Sequence, residues 1–418
     1  MERHVVVVGA GVIGLFCALH CALRGFRVTV VERSAEERDG CSFGNTGMIV
    51  PSHFVPLAAP GMVAQAVRRM LDPAAPFHVK PRLSWSLLTW GLRFARACRA
   101  ERARRAALLL RDLALASRSD YEALAREDNA FCLEPRGALM LCRTGQALEE
   151  EARVAEQARE LGMPADVLDR DAAQALEPGV EMDVVGAVRY PLDCNLVPER
   201  LVAALQRRLV QHGVRFLWKT EVKGWDTEAD RLRAAVCTRG TRIDADAFVL
   251  AAGSWSPQLA RTLALPLALQ PGKGYSLTCR RPPQTPRHCA VLVEARVSVS
   301  PMDGALRFGG TMEIAGLDER INPVRVRSIV AAIPRYFPQF APADFDTIEP
   351  WRGLRPCSPD GLPYIGRSAR YPNLVIATGH AMLGVSLAPV TGRIVSRVLL
   401  GEESGFDLAL LSPDRYGP

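Results

Sequence analysis

Residues 5–14 decide the fold of this chain, because they read VVVVGAGVIG and place a glycine motif directly after an apolar run. Four consecutive valines indicate a buried parallel strand, and the pattern that follows is helical. In the spacing G-x-G-x-x-G, the first glycine allows a tight turn, the second lets the backbone approach a pyrophosphate, and the third lets helix and strand pack closely. The stretch therefore predicts a dinucleotide-binding turn formed by Gly9, Ala10, Gly11, Val12, Ile13 and Gly14.

A second strand supports this prediction. The helical pattern stops at Gly25, and the strand predicted at residues 27–31 leads into Glu32 and Arg33. Glu32 follows the last glycine by close to the roughly 20 residues expected of the acid that binds ribose hydroxyls. Its negative charge also repels a 2′-phosphate, which disfavours NADP. We expect Glu32 and Arg33 to contact the cofactor, but the pattern does not distinguish FAD from NAD.

Length, charge and cysteine spacing exclude several classes of protein. The chain has 418 residues, whereas a single core stops growing at roughly 250–300, so we expect two domains. Its net charge of +7 comes from arginines spread among 45 acidic residues, unlike the clustered basic face of a nucleic-acid-binding protein. Eleven cysteines form no C-x-x-C or paired Cys/His spacing. We therefore expect no nucleic-acid partner, no metal and no disulfide framework.

The sequence also allows a prediction of where in the cell the protein is found and whether it contacts a membrane. It shows neither a secretory signal pattern nor about 18 consecutive apolar residues, so we expect a cytoplasmic protein without an integral membrane span. Residues 85–115 qualify this expectation, because seven arginines lie there among Trp, Phe and Leu. A basic amphipathic pattern is typical of peripheral contact with anionic lipid, and a solvated charged face is the alternative.

Later patterns indicate that the chain returns to its first sheet. Residues 83–126 form one long arginine-rich helical pattern, read as an insertion, and residues 267–310 show short strands with Gly/Pro punctuation that indicate an antiparallel sheet. The other predicted elements are strands at 186–190, 215–217, 247–252 and 374–377, a helix at 198–212, and a helical run from 379 to 400.

Six segments, in order along the chain, resemble the FAD-dependent D-amino acid oxidase superfamily and most closely its bacterial D-amino acid dehydrogenases. They are GCSFGNTG at 40–47, VLAAGSW at 249–255, PGKGYSL at 271–277, RFGGTME at 307–313, WRGLRP at 351–356 and TGHAMLG at 378–384. The resemblance covers essentially the whole chain and implies an α/β fold that binds FAD. It implies a discontinuous Rossmann-type FAD-binding domain at residues 1–75, 180–255 and 350–418. An interleaved α+β substrate domain with an antiparallel sheet is expected at residues 76–179 and 256–349.

The resemblance also implies which residues contact FAD. Small side chains at residues 42–47 would let backbone amides meet phosphate and flavin oxygens, although an ordinary Asn-Gly turn explains the same pattern. A helix that starts after Gly379 would stabilise negative charge on the reduced flavin, assisted by His380. Core packing is the alternative for Val222, and a strand-ending turn is the alternative for Gly253. The implied contacts are Ser42, Asn45, Thr46, Gly47, Met48, Val222, Gly253, Gly379, Leu383 and Gly384.

On the substrate side, Arg355 matches the family arginine that binds the substrate carboxylate, since a guanidinium presents two parallel donors. Tyr275 is a candidate hydroxyl donor to the amino acid, and Met48 is a candidate adaptable wall, although both are also typical of a core. Together with His380, Arg355 and Tyr275 are the candidate catalytic residues. His53 falls in a stretch expected near the isoalloxazine, but we do not predict it to be a base.

These inferences predict the oxidative deamination of D-amino acids. Hydride passes from the α-carbon to flavin N5, and water hydrolyses the imino acid to a 2-oxo acid and ammonia. We expect the electrons to reach an acceptor other than oxygen, such as a quinone or the electron-transfer chain. Residues 41–51 differ from those of D-alanine-type enzymes, so a D-hydroxyproline or D-proline dehydrogenase is the alternative. Outside enzymes, the alternative is a protein that binds the dinucleotide without catalysis.

Overall fold

The computed structural model describes residues 3–63, 77–80 and 82–417. The strands are β1 (His4–Val8), β2 (Arg27–Val31), β3 (Met48–Ile49), β4 (Phe77–Val79), β5 (Ala138–Cys142), β6 (Asp166–Asp169), β7 (Gly186–Tyr190), β8 (Cys194–Asn195), β9 (Arg215–Leu217), β10 (Val222–Glu228), β11 (Arg231–Cys237), β12 (Arg242–Asp244), β13 (Ala247–Leu250), β14 (Gln270–Cys279), β15 (Cys289–Leu292), β16 (Val297–Met302), β17 (Ala305–Ile314), β18 (Trp351–Cys357), β19 (Tyr364–Arg367) and β20 (Leu374–Thr378). The helices are α1 (Val12–Leu23), α2 (Trp85–Ala97), α3 (Ala100–Glu127), α4 (Gly145–Glu160), α5 (Arg170–Leu176), α6 (Pro198–Gln211), α7 (Ser256–Arg261), α8 (Pro323–Tyr336) and α9 (Ala388–Leu400).

The first sheet has the strand order β19-β20-β13-β1-β2-β9. Its pairings are parallel except that between β19 and β20. Val5, Val6 and Val7 of the central strand are fully buried, as expected of a parallel strand covered on both faces. The predicted βαβ opening and the predicted returns of the chain at β9, β13 and β20 are confirmed.

The second sheet has nine strands, eight of them in the order β18-β14-β17-β16-β15-β5-β7-β6, while β4 pairs with β17. Most of its neighbours are antiparallel, which confirms the predicted antiparallel sheet, but the β15–β5 and β17–β4 pairs are parallel. The β7 and β18 strands belong to this sheet, although their residues fall in segments predicted for the FAD-binding domain. A small sheet of β10, β11 and β12 and the β3–β8 pair complete the strands of the described ranges.

The arginine-rich region differs from its prediction. Instead of one helix there are two, because Cys98 and Arg99 have non-helical backbone angles between α2 and α3. The two helices serve different cores: Trp90 and Phe94 of α2 pack near β17, whereas Tyr121 and its neighbours on α3 pack in the core of the first sheet. Thus α3 packs on the first sheet although its residues fall in a segment predicted for the substrate domain.

Two further observations concern membranes and domain limits. Among the helices of the described residues, none combines the length and apolar character needed to cross a membrane. The predicted limit between residues 75 and 76 lies outside the described residues. The domain limits therefore stay predictions. The structure shows, in addition, the core in which each of these elements packs.

Candidate active site

A cleft of about 640 Å³ lies at the carboxyl ends of the parallel strands, where ligands bind in open α/β sheets. Val8, Val31, Ala251 and Thr378, which end or follow β1, β2, β13 and β20, all line it. Its volume falls within the roughly 300–1,000 Å³ of typical cofactor sites. The cleft therefore coincides with the site that the glycine motif predicts.

The glycine turn forms one wall of this cleft. Gly9 has a φ of +107°, and a Cβ there would lie 2.5 Å from the carbonyl oxygen of Ala251. A Cβ at Gly14 would lie 1.9 Å from the carbonyl oxygen of Gly9, so both positions require glycine for packing. At Gly11, by contrast, a Cβ would meet nothing closer than Ser42 Oγ, at 3.6 Å. Because the protein itself does not require glycine at position 11, a ligand that approaches this backbone accounts for it.

The carboxylate of Glu32 is fixed at the edge of the turn. It accepts hydrogen bonds from the backbone N–H groups of Ala10 at 2.8 Å and Ser34 at 2.9 Å. Next to it, the Arg33 guanidinium stacks on the Trp255 ring, 3.7 Å from the ring centroid. All these residues except Ala10 line the cleft, as do the predicted contacts Val222 and Gly253. The structure thus brings the candidate ribose and adenine contacts to one end of the cleft.

Residues 42–47 connect this cleft to a second cavity. The Ser42 hydroxyl accepts a hydrogen bond from the N–H of Val12 at 3.0 Å, at the start of α1. Asn45 Oδ1 accepts from the N–H of Gly47 at 2.7 Å, which is the Asn-Gly turn considered above. A Cβ at Gly47, whose φ is +69°, would lie 2.0 Å from the carbonyl oxygen of Leu196. The Asn-Gly turn does not exclude a role in binding a ligand, because Asn45 of this turn lines both cavities.

Arg307 holds this loop in place. Its Nη1 donates to the carbonyl oxygens of Asn45 at 2.8 Å and Phe43 at 3.1 Å, while Nη2 pairs with Glu199 at 2.8 Å. The side chain is 6% exposed. We did not single out Arg307 from the sequence. The signal that could have found it is its place in the segment RFGG, where a charged residue lies within a strand, β17, that is mostly buried.

The second cavity, of about 110 Å³, adjoins the cleft and is called the chamber below. Arg355, Cys41, Asn45 and Gly353 line both spaces, so Arg355 lies at their junction. The chamber's other lining residues include Thr46, Met48, Val50, His53, Tyr275, Trp351 and Leu383. A guanidinium beside apolar walls suits a small ligand with a carboxylate at one end.

The Arg355 side chain is positioned by backbone rather than by acids. Its Nη1 donates to the carbonyl oxygen of Thr311 at 2.8 Å, and no ion pair of Arg355 occurs within residues 3–63, 77–80 and 82–417. Thr311 has a φ of +62°, an uncommon conformation for a β-branched residue that marks backbone strain beside the guanidinium. The remaining donors of Arg355 are thus available for an anionic ligand.

Comparison with known proteins now assigns the chain to a family. The model of the DAO family, described as FAD dependent oxidoreductase, matches residues 4–398. The chain belongs to this family of FAD-dependent oxidoreductases. A D-amino acid dehydrogenase of Granulibacter bethesdensis is 32% identical over 423 residues, covering 99% of both chains, and one of Bradyrhizobium diazoefficiens is 31% identical, covering 99% of this chain and 98% of its own. Among solved structures, glycine oxidase from Geobacillus kaustophilus superposes with a TM-score of 0.78 at 25% identity, covering 99% of each chain.

Membership in the DAO family confirms the FAD cofactor, the resemblance and the mixed α/β fold class that the sequence predicted. The residues present fit FAD. Gly11 has no internal reason to be glycine, and the N-terminus of α1 faces the cleft with Val12 among its lining residues, where it can receive a pyrophosphate. Glu32 would bind ribose hydroxyls and Val222 the adenine end. The assignment of individual residues to FAD stays a prediction.

The region after β20 differs from its prediction. A single 3₁₀ turn, Ala381–Leu383, follows Gly379, and the helix proper begins only at Ala388. The reason is local backbone: Gly379 has a φ of +82° and Ala381 of +47°, so the chain turns before it can become helical. Gly379 contacts Tyr364 and is absent from the walls of both cavities, whereas Gly384 lines the cleft and Leu383 lines the chamber.

His380 lines the cleft as an uncharged side chain. Burial lowers its pKa to about 3. The hydroxyl of Thr391 donates to the carbonyl oxygen of Leu387 at 2.7 Å, so it accepts from His380 Nε2–H at 3.0 Å, and Nδ1 is left buried without a partner in the described structure. His380 therefore stands beside the cleft with one unpartnered ring nitrogen, and its lowered pKa disfavours a positive charge at this position.

Tyr275 is placed differently from its predicted role. Its hydroxyl donates to Glu313 at 2.8 Å and accepts from the N–H of Asn322 at 3.3 Å, while its ring packs in the core beneath the second sheet. Burial and Glu313 raise its pKa. Since its one proton is given to a carboxylate, the structure supports a packing role for Tyr275 rather than donation to a substrate. Met48 lines the chamber, as predicted for an adaptable wall.

Proposed function

We propose that this FAD-dependent oxidoreductase oxidises small D-amino acids to 2-oxo acids and ammonia. FAD, when bound, accepts the hydride that leaves the α-carbon, and water hydrolyses the resulting imino acid. The D configuration is supported by the names of the relatives that share about a third of the sequence. The protein's own share is to bind the substrate, orient its α-carbon and keep bulk water away.

The unpaired guanidinium of Arg355 is the observation that carries this proposal. It lies at the junction of cofactor cleft and chamber, it is anchored to the carbonyl oxygen of Thr311, and it retains donors for a carboxylate. A bidentate arginine–carboxylate pair fixes both the position and the orientation of the bound acid. Met48, Val50 and Leu383 then offer apolar contacts to the remainder of the substrate.

The visible spectrum tests the proposal. Purified protein loaded with FAD should show flavin absorbance that is bleached when a D-amino acid is added without oxygen. The matching L-amino acid is the control and should leave the spectrum unchanged. Protein that takes up FAD but is bleached by no amino acid of either configuration would reject the proposed substrate class.

Cyclic secondary amines are the second candidate substrates. A chamber of about 110 Å³ suits compact ligands, and a five-membered ring with its carboxylate is as compact as a short-chain amino acid. A panel of D-alanine, D-proline and cis-4-hydroxy-D-proline with a dye acceptor separates the two candidates. Higher kcat/KM on either ring compound would assign the enzyme to secondary amines.

We propose further that the electrons pass to an acceptor other than oxygen at an anionic membrane surface, with the protein in the cytoplasm. The supporting feature is the outer face of α2, where Trp85 is 78% exposed and Leu88 and Leu92 are each 53% exposed. Exposed arginines follow this face in sequence, at Arg96, Arg99, Arg104 and Arg105. Apolar side chains flanked by basic ones are typical of helices that lie in a membrane interface.

Vesicle flotation tests this contact. The protein should float with vesicles that contain phosphatidylglycerol and should remain in the dense fraction with phosphatidylcholine alone. Replacing Trp85, Leu88 and Leu92 together by Ala should abolish flotation, whereas Val210→Ala, at a position 63% exposed on α6, should not. Equal flotation of both variants would reject the membrane face. Reoxidation by a soluble quinone but not by oxygen would support the acceptor.

A further inference from the structure

A chain of three hydrogen-bonding side chains leads from the chamber into the protein. His53 lines the chamber, and its Nδ1 lies 3.2 Å from the hydroxyl oxygen of Ser52. That hydroxyl lies 2.5 Å from Asp193 Oδ2, and the backbone N–H of Ser52 donates to Oδ1 of the same carboxylate at 3.0 Å. Asp193 is fully buried, and Ser52 is 8% exposed. No local sequence pattern connects Ser52 and His53 with Asp193, about 140 residues later.

The β3–β8 pair explains why these side chains meet. Met48 pairs with Asn195 and Ile49 with Cys194, so the antiparallel register carries the residues after β3 alongside the residues before β8. The hydrogen bond from the backbone N–H of Ser52 to the carboxylate of Asp193 joins the two segments next to this strand pair. The arrangement is therefore built into the fold beside the chamber and does not depend on long, mobile side chains.

The direction of each hydrogen bond follows from the number of protons. When Asp193 is ionised, the Ser52 hydroxyl donates its one proton to the carboxylate, so its oxygen can only accept from His53. Nδ1 of His53 therefore carries the ring proton, and Nε2 is an acceptor. No hydrogen bond to Nε2 is made by the described residues, and the side chain borders the chamber. Nε2 is thus the ring nitrogen left to accept a hydrogen bond from a ligand in the chamber that His53 lines.

The surroundings favour a proton on Asp193 and disfavour one held on His53. Burial, and next the charge of Arg296, lower the pKa of His53 to about 4. Burial raises the pKa of Asp193 to about 7, although the hydrogen bonds from Ser52 and the charge of Arg118 act in the opposite direction.

Among the described residues, the titratable groups that face the two ends of the chain do not accept this proton. The groups that face Asp193 are the guanidinium of Arg118, whose charge opposes protonation of the carboxylate, and Tyr190, Cys194 and Cys289. Burial raises the pKa values of the last three, so they remain neutral. In the chamber, burial likewise raises the pKa of the Cys41 thiol and keeps it neutral, while Arg355 is the group proposed to bind the carboxylate.

We propose that His53, Ser52 and Asp193 form a proton relay that removes the ammonium proton of the bound amino acid before hydride transfer. The proposal rests on the proposed function, because an amino acid enters as a zwitterion and only the neutral amine has a lone pair to expel hydride. An N–H bond of the ammonium breaks as a bond to His53 Nε2 forms. The Nδ1 proton passes to Ser52 Oγ, and the Ser52 proton passes to Asp193 Oδ2.

The charges balance in this step. The ammonium and the Asp193 carboxylate both become neutral, whereas the imidazole only exchanges one neutral tautomer for the other. No positive charge has to rest on the imidazole of His53, where burial disfavours it. The remaining charges, on Arg355 and the substrate carboxylate, are paired. His53 is the group that would touch substrate, while Ser52 and Asp193 act through it.

The pH dependence of anaerobic flavin reduction tests the relay in the FAD-loaded enzyme. In the wild type, the rate should fall at low pH with an inflection near pH 7, because protonated Asp193 cannot accept. Asp193→Asn and His53→Asn should each lose about 10²-fold at pH 7, within the range of general-base contributions. Both should recover as the pH approaches the ordinary pKa of the free substrate's amine, where solvent removes the proton. Two variants are used because Asp193 is buried and its replacement could prevent folding.

His20→Gln is the matched control. Burial lowers the pKa of His20 to about 4, as it does for His53, but His20 lies on α1 outside both cavities, so its replacement should leave the pH profile unchanged. A second readout is independent of turnover. At pH 9, where Asp193 of the free enzyme is ionised, binding of α-aminoisobutyrate, which has no α-hydrogen to transfer, should produce the infrared carbonyl band of a protonated carboxylic acid in the wild type and not in either variant.

The outcomes separate the relay from the proposed function. If no amino acid reduces the wild-type flavin, the proposed function fails. If the wild type is reduced normally and both variants keep its rate and pH profile, the relay alone is rejected. A carboxylic-acid band that persists in Asp193→Asn would likewise reject Asp193 as the terminal acceptor.

Discussion

The guanidinium of Arg355 lies directly against the backbone of Gly274. A Cβ built on residue 274 would stand 2.1 Å from Nη1 of Arg355, far inside any real contact. The two residues meet because β14 and β18 are antiparallel neighbours, with Gly272 opposite Arg355 and Gly274 opposite Gly353. Glycine at position 274 therefore makes room for the side chain proposed to bind the substrate.

Gly274→Ala should consequently impair substrate binding without removing FAD. The new methyl group displaces the guanidinium, so we expect KM for the best D-amino acid to rise at least about tenfold, equivalent to ~1.4 kcal/mol. Gly224→Ala is the control, since a Cβ there meets nothing within 4 Å. Steady-state kinetics at fixed acceptor concentration measure the change. An unaltered KM in Gly274→Ala would show that Arg355 is not held where the substrate binds.

Gly11→Ala should separate folding from cofactor binding. Its Cβ meets only Ser42 Oγ at 3.6 Å, so the protein should fold, yet a methyl group would stand where the dinucleotide approaches the turn. We expect the FAD dissociation constant to rise at least about tenfold (~1.4 kcal/mol) while the far-ultraviolet circular dichroism stays unchanged. Fluorescence titration with FAD measures this, with Gly179→Ala, in open space, as the control. If Gly11→Ala binds FAD with wild-type affinity, the pyrophosphate does not bind at this turn.

Arg307→Lys should loosen the loop that joins the two cavities. A single ammonium group cannot hold the carbonyl oxygens of Phe43 and Asn45 and also pair with Glu199 as the guanidinium does. We expect a loss of roughly 1.5–3 kcal/mol in the free energy of unfolding, the usual range for hydrogen bonds to charged groups, together with weaker FAD binding. Urea denaturation measures the first quantity. Arg233→Lys, at an exposed ion pair, should change neither.

Asp193 should make stability depend on pH in a defined direction. Its pKa is raised from 3.8 to about 7 in the folded protein, so folding favours the protonated form. Relative to a variant without this carboxyl, the wild type therefore loses stability as the pH rises from about 4 to about 7, by up to roughly 1.4 kcal/mol for each pKa unit of the shift.

Comparison of Asp193→Asn with the wild type measures this effect. The difference in the free energy of unfolding should move in favour of the variant between pH 5 and pH 8. The change of this difference with pH is the informative quantity, because the substitution also alters the hydrogen bonds of Ser52 and so shifts the difference by a constant amount. A difference that stays constant across this range would contradict the raised pKa.

The first βαβ unit could be predicted from sequence because its signals are local. The valines, the glycine spacing and Glu32 lie within one short segment, and each acts on its neighbours. The family resemblance added FAD and Arg355, whose surroundings in GLRP are also local. Neither kind of signal placed the break between α2 and α3, which arises because the two helices pack against different cores.

Contacts between distant parts of the chain account for what the sequence missed. Arg307 reaches a loop more than 260 residues earlier, and Ser52 meets Asp193 across 141 residues. The parallel β15–β5 pair is equally non-local. The packing of Tyr275 has a related cause: its neighbours Gly274 and Ser276 lie at the cofactor side, and strand alternation directs its own ring to the opposite core.

The most direct test of the account is the anaerobic titration of Arg355→Lys and Arg355→Ala with the best D-amino acid, followed by flavin absorbance. We predict an oxidised FAD spectrum equal to that of the wild type before substrate is added. The apparent dissociation constant for the amino acid should then rise about 100-fold, a loss of ~2.7 kcal/mol typical of a charged hydrogen-bonded pair. Arg233→Ala should titrate like the wild type. Wild-type titration curves in both Arg355 variants would contradict the claim that this guanidinium binds the substrate carboxylate.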